Sequence, residues 1–223
     1  MSRTAIIVGA GNGISASFAR KFTAHGGKVL LAARNTDKLT DLAAEIDATV
    51  MTCDATRIDE VASVFTEADR AFPQIDVVLF NASARAGGAF VDVDPVQFAH
   101  AINVTAYGGF LVAQQAAKRM VAQGHGTILF TGASASVKGY KESAAFAMGK
   151  FGLRGMAQSI ARELAPKGIH VAHFVIDGGV RNEARGRVER SDQADDTFLN
   201  PDAIADSYMH VVNQPRSAWT WEI

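Results

Sequence analysis

Lys150 and Phe146 stand at the centre of the stretch best equipped for chemistry, residues 126–164. The alanine content of residues 143–164, and the absence of proline among them, predict one helix on which residues four apart share a face. The ring and the ammonium then point together. A helix lysine is usually solvated, but Lys150 follows Gly149 at the end of an otherwise apolar face, where burial would lower the pKa of its amine. Lys150 is therefore a candidate for proton exchange.

A strand is predicted directly before this helix, over the run Thr127–Thr131. It ends in three small residues, Gly132, Ala133 and Ser134. Open α/β sheets bind ligands in a crevice outside the carboxyl ends of their strands. The helix that carries Lys150 is therefore expected to border a ligand crevice.

A glycine-rich turn follows the first predicted strand, Thr4–Val8, and precedes a stretch with helical apolar spacing. The backbone N–H groups of such a turn and the positive end of the next helix can bind a pyrophosphate. The spacing departs from the common GxGxxG pattern, because isoleucine stands where the third glycine is expected. The turn alone therefore leaves nucleotide binding open. Its candidate cofactor contacts are Gly9, Gly11, Asn12, Gly13 and Ile14.

The charges after this turn favour one kind of dinucleotide. A site selective for NAD(H) places Asp or Glu about 20 residues beyond the glycines, whereas a 2′-phosphate requires a cation. No acidic residue occurs among residues 1–36, and Arg34 follows the second predicted strand. The dipole disfavours an arginine at a helix start, so a bound anion would explain it. Arg34 is either an NADP(H)-selecting residue or a solvated surface arginine.

Strand-like and helix-like segments alternate along the chain. Further strands are predicted at Lys28–Ala33, Thr49–Cys53, Val77–Phe80, His170–Ile176 and Ser217–Trp221, and further helices at Thr36–Ile46, Asp59–Phe72 and Pro95–Gln123. This alternation predicts an α/β fold, a single doubly wound Rossmann domain over residues 1–223 with a central parallel sheet of about seven strands and helices on both faces. The polar segment Gly178–Pro201 is expected to lie over the crevice or to be mobile.

Composition and charge narrow the function classes. With 223 residues, 48% of them hydrophobic, the chain is long enough to bury a core of its own. A net charge of −1 gives no basic surplus for nucleic acid or an anionic membrane, so a small molecule is the expected partner. The single cysteine, Cys53, and the short apolar run before the first glycines favour a cytoplasmic protein without a signal peptide. The histidines are scattered, so no metal site is predicted.

Several weak motifs, in the right order and on the right predicted elements, together resemble the short-chain dehydrogenase/reductase family over nearly the whole chain. They are a turn similar to the family's TGxxxGxG, a triplet similar to its NNAG, an aspartate after the third strand, a helix asparagine, and the lysine of YxxxK. The residues concerned are Gly9 to Ser15, Asn81, Ala82, Ser83, Asp54 with Ala55 after it, Asn103 and Lys150.

The resemblance implies the family's fold, a nicotinamide cofactor across the strand ends, and hydride exchange with a carbonyl or alcohol. Arg34, with no acid before it, is similar to the NADP(H) subset of the family. Residues 177–180 stand where the family contacts the nicotinamide, which makes Val180 a candidate cofactor contact. The resemblance also implies a homodimer or homotetramer, in which the helices that carry Phe110 and Phe151 pack against their copies.

The tyrosine of the YxxxK motif is missing from this chain. In the family its hydroxyl exchanges the proton, while the lysine lowers the pKa of the tyrosine and holds the ribose. Here the residue is Phe146, and the family's serine partner falls on Ala133. A phenylalanine ring exchanges no proton at any pH, so ordinary dehydrogenase chemistry should be severely slowed.

Three alternatives are open for a chain that lacks the tyrosine hydroxyl. Ser134, one step from the expected serine position, or Tyr140, in the loop before the central helix, would supply a hydroxyl. Lys150 itself, or water held by Lys150 and Asn103, would protonate the substrate. In the third alternative the protein keeps the cofactor site but is catalytically inactive, as an NADP(H)-binding sensor or an oligomerisation protein.

Overall fold

The computed structural model describes residues 3–190, 192, 194 and 196–223. Its strands are β1 (Thr4–Val8), β2 (Lys28–Ala33), β3 (Thr49–Thr52), β4 (Val77–Phe80), β5 (Gly126–Thr131) and β6 (Ile169–Phe174). Its α-helices are α1 (Ile14–Ala24), α2 (Thr40–Ile46), α3 (Ile58–Ala71), α4 (Pro95–Ile102), α5 (Gly108–Gln123), α6 (Ala144–Leu164) and α7 (Pro201–Val212). The parts of the predictions that concern residues 1, 2, 191, 193 and 195 lie outside the described residues.

These strands form one parallel sheet in the order β3-β2-β1-β4-β5-β6. Val8 of β1 is paired with Ala32 of β2 on one side and with Phe80 of β4 on the other. The strand order reverses between β1 and β4, which is the topological switch point of a doubly wound sheet. The predicted α/β fold is confirmed, with six strands among the described residues.

Helices cover both faces of the sheet because its strands are apolar on both sides. On one face, Phe65 of α3 and Leu153 of α6 belong to the same buried cluster as Phe130 of β5. On the other face, Phe18 of α1 packs against Tyr208 of α7, with 6.0 Å between the ring centres. This packing fixes α6, and with it Lys150, against the carboxyl half of the sheet.

The end of the chain takes the next place at the edge of the sheet. The predicted strand Ser217–Trp221 is instead a short 3₁₀ turn, Arg216–Ala218, followed by extended backbone. The last three residues run parallel to β6 and exchange backbone hydrogen bonds with His173. The predicted bounds were wrong because Trp219 stacks on His170, with 4.7 Å between the ring centres, and pairing with β6 begins only at Trp221.

The long helix predicted over Pro95–Gln123 is interrupted between α4 and α5 by one π-helical turn, Asn103–Tyr107. The backbone N–H of Gly108 reaches back five residues, to the carbonyl of Asn103. The turn lies against α6, where a Cβ on Gly149 would be 3.0 Å from the Cβ of Thr105. Single π turns of this kind often mark functional sites, and this one lies beside the helix that carries Lys150.

Candidate active site

A cavity of about 660 Å³ opens at the carboxyl ends of the central strands. It lies at the switch point between β1 and β4, the usual ligand site of a doubly wound sheet. The predicted cofactor-binding residues all line it: Gly9, Gly11, Asn12, Gly13, Ile14, Arg34, Asp54, Ala55, Asn81, Ala82, Ser83, Lys150 and Val180. The fold therefore brings widely separated segments of the chain to one space.

The glycine turn is shaped by its close approach to the segment after β4. Gly9 has a φ of +82°, and a Cβ there would collide with the backbone of Ala82, so only glycine fits. Nδ2 of Asn81 donates to Oγ of Ser15 at 2.7 Å, which ties the two segments together. At Gly11, by contrast, a Cβ would meet nothing within 4 Å. The turn is firmly backed by protein and open towards the cavity.

One end of the cavity carries Arg34, Lys38 and Asp54. Asp54 accepts hydrogen bonds from the backbone N–H and the hydroxyl of Thr56, at 2.9 and 2.8 Å. Burial opposes the ionisation of Asp54, but these bonds and the charge of Arg34 lower its pKa overall. Burial, followed by the charges of Arg185 and Arg34, lowers the pKa of Lys38. Several cations therefore surround one carboxylate where β2 and β3 end.

The first part of the polar segment Gly178–Pro201, from Gly178 to Arg187, lines the cavity, which is the first of the two arrangements expected for the segment. The backbone N–H of Asn182 donates to the carbonyl of Arg187 at 2.8 Å, which closes a short loop. Oδ1 of Asn182 is buried and lacks a hydrogen-bond partner among the described residues. An unpaired buried acceptor costs about 1–3 kcal/mol. A ligand that donates a hydrogen bond here would remove that cost.

Lys150 is buried at the other end of the cavity. The residue is only 3% exposed, and its Nζ donates to the carbonyl oxygen of Thr131 at 2.6 Å. Burial, and to a smaller extent the charge of Arg85, lowers the pKa of the amine to about 7. A lysine with such a pKa can give and take protons at neutral pH.

Phe146 lies beside Lys150, as the helical spacing predicts, and an arginine covers its ring. The guanidinium carbon of Arg85 is 3.8 Å from the ring centre, and Nζ of Lys150 is 5.8 Å from it. Burial, followed by the charges of Arg187 and Arg185, lowers the pKa of Arg85. The position that resembles the family's tyrosine thus holds an apolar ring close to two cations.

A chain of polar side chains lies behind this end of the cavity. Oγ of Ser136 is 3.3 Å from Nε2 of His173, and Nδ1 of His173 is 3.1 Å from Oε2 of Glu222. Arg154 donates two hydrogen bonds to the same carboxylate, at 2.6 and 2.7 Å. Oγ of Ser136 also accepts from the backbone N–H of Ala133 at 3.1 Å. Because Ser136 is fully buried, the chain supports the loop after β5 and presents no nucleophile.

The other predicted catalytic side chains do not line the cavity. Asn103 is exposed at the start of the π turn, and Ser134 is half-buried in the loop after β5. Tyr140 is 45% exposed in the loop before α6. Ala133 lines the cavity but carries no hydroxyl. Of the predicted proton-exchanging groups, Lys150 alone lies on the cavity wall, and the roles of the other three stay predictions.

Sequence reasoning missed four cations on the cavity wall, Lys38, Arg85, Arg185 and Arg187. None of them belongs to a motif, and no spacing distinguishes any of them from a solvated charge. For Arg185 and Arg187, one signal was an excess of arginine over acid, since residues 181–190 contain four arginines and two glutamates. Their convergence is a property of the tertiary fold.

Three observations bear on other kinds of site. In residues 3–190, 192, 194 and 196–223, no group of three or more His, Cys, Asp or Glu is placed to hold a metal ion. Burial raises the pKa of the Cys53 thiol to about 12, so this cysteine has little thiolate character. Within the same part of the chain, every helix is too short or too polar to cross a membrane.

Similar proteins match almost the whole chain. A family model described as short chain dehydrogenase matches residues 3–192. A 3-oxoacyl-acyl-carrier-protein reductase, MabA, of Mycobacterium avium is 29% identical over 194 residues, which cover 87% of this chain and 73% of MabA. The resemblance noted in the sequence is therefore found again by comparison of whole chains.

Two solved structures extend this likeness to the fold. A short-chain dehydrogenase from Rhodopseudomonas palustris has a TM-score of 0.85 and 37% identity, covering 99% of this chain and 96% of its own. A metagenomic short-chain oxidoreductase in complex with NADP has a TM-score of 0.85 and 26% identity, covering 99% and 95%. With its glycine turn, its strand order and its lysine on α6, the chain belongs to the short-chain dehydrogenase family.

Proposed function

We propose that the protein is an oxidoreductase that binds NADP(H) in this cavity and exchanges a hydride with a carbonyl or alcohol compound. The observation that carries the proposal is the composition of one cavity. It has an open glycine turn at Gly11, cations at Arg34 and Lys38, and a buried lysine, Lys150, at the far end. The NADP complex of the metagenomic relative and the reductase name of MabA give further support.

The residues of this chain fit a dinucleotide that carries a 2′-phosphate. Backbone N–H groups of the turn at Gly11 and the positive end of α1 would hold the pyrophosphate. Arg34 and Lys38 supply the cations that a 2′-phosphate needs, with Asp54 beside them for the adenosine. The unpaired Oδ1 of Asn182 would accept a hydrogen bond from a donor group of the cofactor.

Bound NADP(H) supplies or accepts the hydride. Lys150 would give a proton to the carbonyl oxygen during reduction and take it back during oxidation, directly or through one water, because its pKa lies near 7. The hydrogen bond to Thr131 holds its amine in place. Ser134, Tyr140 and Asn103 are secondary candidates, since each would have to move to reach the cavity.

Phe146 favours a second candidate function, a sensor or oligomerisation protein that binds NADP(H) without turnover. Proton transfer by a placed side chain contributes about 10²–10⁴ in rate, and a phenyl ring contributes none. Phe110 and Phe151, 41% and 45% exposed on α5 and α6, offer surfaces for a homodimer or homotetramer. In both functions we expect a cytoplasmic protein whose ligand is a small molecule.

Calorimetric titration with NADPH and NADH tests cofactor binding. Arg34→Ala should weaken NADPH binding by about 1–3 kcal/mol, the strength of charge-assisted hydrogen bonds, and leave NADH binding within about twofold. Lys28→Ala, which removes an exposed charge outside the cavity, is the control. NADPH consumption across a panel of carbonyl compounds then separates an enzyme from a sensor. Well-folded protein that binds neither dinucleotide at millimolar concentration would contradict the proposal.

A further inference from the structure

Several cations line the cavity away from the end assigned to the 2′-phosphate. Apart from Lys150, its lining residues include Arg34, Lys38, Arg85, Arg185 and Arg187, with Asp54 as the only carboxylate among them. We propose that Arg85, with Arg187 beside it, binds an anionic group of the substrate, so that the protein acts on carbonyl or alcohol compounds bearing a carboxylate or a phosphate. This inference rests on the proposed function and names its substrate class.

The cations are distributed along the cavity in a definite order. Arg34 acts electrostatically on Lys38 and on Asp54, which places these three at the end assigned to the 2′-phosphate. The charge of Arg185 acts on both Lys38 and Arg85, so Arg185 lies between the two ends. Arg85 remains at the end next to Phe146, where the substrate of a nicotinamide enzyme would lie.

No acidic side chain among the described residues is paired with Arg85. Among the described residues, no carboxylate lies within ion-pair distance of Arg85, Arg185 or Arg187. By contrast Arg181, on the same covering segment, is bound to Glu189 at 2.7 Å. Burial and the charges of Arg187 and Arg185 lower the pKa of Arg85, because three neighbouring cations repel one another. An anion placed among them would relieve this repulsion.

The stacking of Arg85 leaves its hydrogen-bonding groups available. A distance of 3.8 Å from the guanidinium carbon to the ring centre of Phe146 places the guanidinium over the ring face. The five N–H donors of a guanidinium lie in its own plane, so stacking does not use them. They match the paired oxygens of a carboxylate or phosphate, which bind such a fork through two parallel hydrogen bonds.

The loop that carries Arg85 is fixed on both sides. The backbone N–H of Ala84 donates to Oγ1 of Thr105 in the π turn, at 3.2 Å. The backbone N–H of Gly88 donates to the carbonyl of Glu142, just before α6, at 3.3 Å. A group held in place before the ligand arrives loses little entropy on binding. The π turn between α4 and α5 therefore anchors the loop that carries Arg85.

The geometry also relates the anion site to the proposed proton donor. The guanidinium of Arg85 and the ammonium of Lys150 lie 3.8 and 5.8 Å from the same ring centre. A compound whose anionic group and carbonyl are separated by a few bonds can therefore meet both cations at once. The ring of Phe146 then serves as an apolar platform between them, which explains a phenylalanine at this position.

Two matched pairs of compounds test the proposal on NADPH-saturated protein. One pair is 2-oxobutanoate and its methyl ester, and the other is dihydroxyacetone phosphate and dihydroxyacetone. For at least one pair, kcat/KM for the anion should exceed that for the neutral compound by at least about tenfold. Arg85→Gln should bring this ratio close to one, a reduction of about tenfold or more, in line with the loss of a charge-assisted pair. Arg187→Gln should reduce it by a smaller factor.

Lys141→Gln is the control, because it removes an exposed charge on the same rim of the fold outside the cavity. The ratio should not change in this variant. NADPH affinity, measured by calorimetry, should stay within about twofold in Arg85→Gln, which also shows that the variant is folded. If NADPH affinity falls as far as the ratio does, Arg85 serves the cofactor and the proposal is overturned. The responding pair distinguishes a carboxylate from a phosphate.

If the protein binds NADPH without turnover, calorimetry with the same four compounds takes the place of the kinetic test. Tighter binding of an anion than of its neutral partner, lost in Arg85→Gln, supports the proposal, whereas equal binding of both members of both pairs overturns it. Failure to bind NADPH would contradict the proposed function instead. In that case the same titrations are made on the protein without cofactor. Anion binding that is lost in Arg85→Gln supports the inference, and a lack of anion binding overturns it.

Discussion

The ammonium of Lys150 donates a hydrogen bond to the carbonyl oxygen of Thr131, the last residue of β5, at 2.6 Å. The bond compensates only part of the cost of burying a charged amine that is 3% exposed. Arg85 also faces this lysine, and the two positive charges repel one another. The pKa of Lys150 is therefore lowered to about 7, and its protonation should be visible in the stability of the protein.

Lys150→Met should change how stability depends on pH. Between about pH 7 and 10.5 the unfolded chain holds a proton on Lys150 that the folded protein has released, so stability of the wild type rises with pH in this window. The variant lacks the group. Relative to the wild type it should be most stable below about pH 7, and this advantage should shrink by up to about 4 kcal/mol towards pH 10.

Urea unfolding at several pH values measures this difference. Comparing the two proteins removes the common contributions of Cys53 and Tyr208, whose pKa values are raised by burial. Lys141→Met, at an exposed position, should give a difference that does not vary with pH. A constant difference for Lys150→Met as well would show that the amine keeps its ordinary pKa in the folded protein.

His173 should make the protein sensitive to acid. Burial lowers the pKa of His173 to about 4, so as the pH falls from about 6.5 the unfolded chain takes up the proton first. The stability contributed by neutral His173 is complete above about pH 6.5 and is lost as the pH falls towards 4, by up to about 3 kcal/mol. Glu222, whose pKa is lowered mainly by its hydrogen bond with Arg154, adds a loss at still lower pH.

Thermal unfolding between pH 4 and 7 tests this dependence. His173→Asn should lower stability at pH 7 and flatten the slope between about pH 6.5 and 4. His25→Asn, which changes an exposed histidine, should leave the slope as it is. An unchanged slope in His173→Asn would mean that other groups cause the acid sensitivity.

Local sequence patterns were enough to predict several strands of the fold. The bounds of β1, β2 and β4 match the predictions, because continuous apolar runs ending at glycine, arginine or asparagine leave little freedom. The residues predicted to bind the cofactor follow these strand ends or lie near them, and they line the cavity. The π turn at Asn103–Tyr107 was not predictable in this way, because no local pattern marks it and its contacts are with α6 and the loop of Arg85, which are distant in the sequence.

The parts of the site that the sequence did not predict depend on contacts between residues that are distant in the chain. Arg85 and Phe146 are separated by a strand and two helices, and neither has a motif that names the other. Glu222 contacts His173 because the last residues run along β6. Nothing in the local sequence around Glu222 indicates this contact. The covering segment contributes Arg185 and Arg187 through its path over the cavity.

Gly9 and Gly11 should respond differently to the same added methyl group. Gly9→Ala should destabilise the protein by about 1–3 kcal/mol, because φ is +82° and the new Cβ collides with Ala82. Gly11→Ala meets open space and should change stability by less than about 0.5 kcal/mol. It should nevertheless weaken NADPH binding at least about tenfold, because the methyl group would stand where the pyrophosphate is proposed to approach the backbone. Unfolding curves and calorimetry on both variants measure this, and equal stability losses would refute the assigned geometry.

Restoring two hydroxyl groups should raise reductase activity. In Phe146→Tyr with Ala133→Ser, the new phenol lies on the helix face of Lys150, whose ammonium is 5.8 Å from the present ring centre. The nearby cations Lys150 and Arg85 would lower the pKa of the phenol, since both favour its ionised form. A positioned proton donor contributes about 10²–10⁴ in rate, so NADPH consumption should rise at least about tenfold on the best carbonyl compound.

The matched control adds Lys150→Met to the two substitutions and should lose most of the gain, because the ammonium then no longer lowers the pKa of the phenol from its ordinary value of about 10. NADPH affinity, measured on each variant, shows whether the cofactor site is intact. If the double variant binds NADPH normally and gains nothing, the cavity does not accept the carbonyl compounds offered. Together with a loss of anion preference in Arg85→Gln, such a result would favour the cofactor-binding sensor over the enzyme, since the binding groups would be present without a productive arrangement for proton transfer.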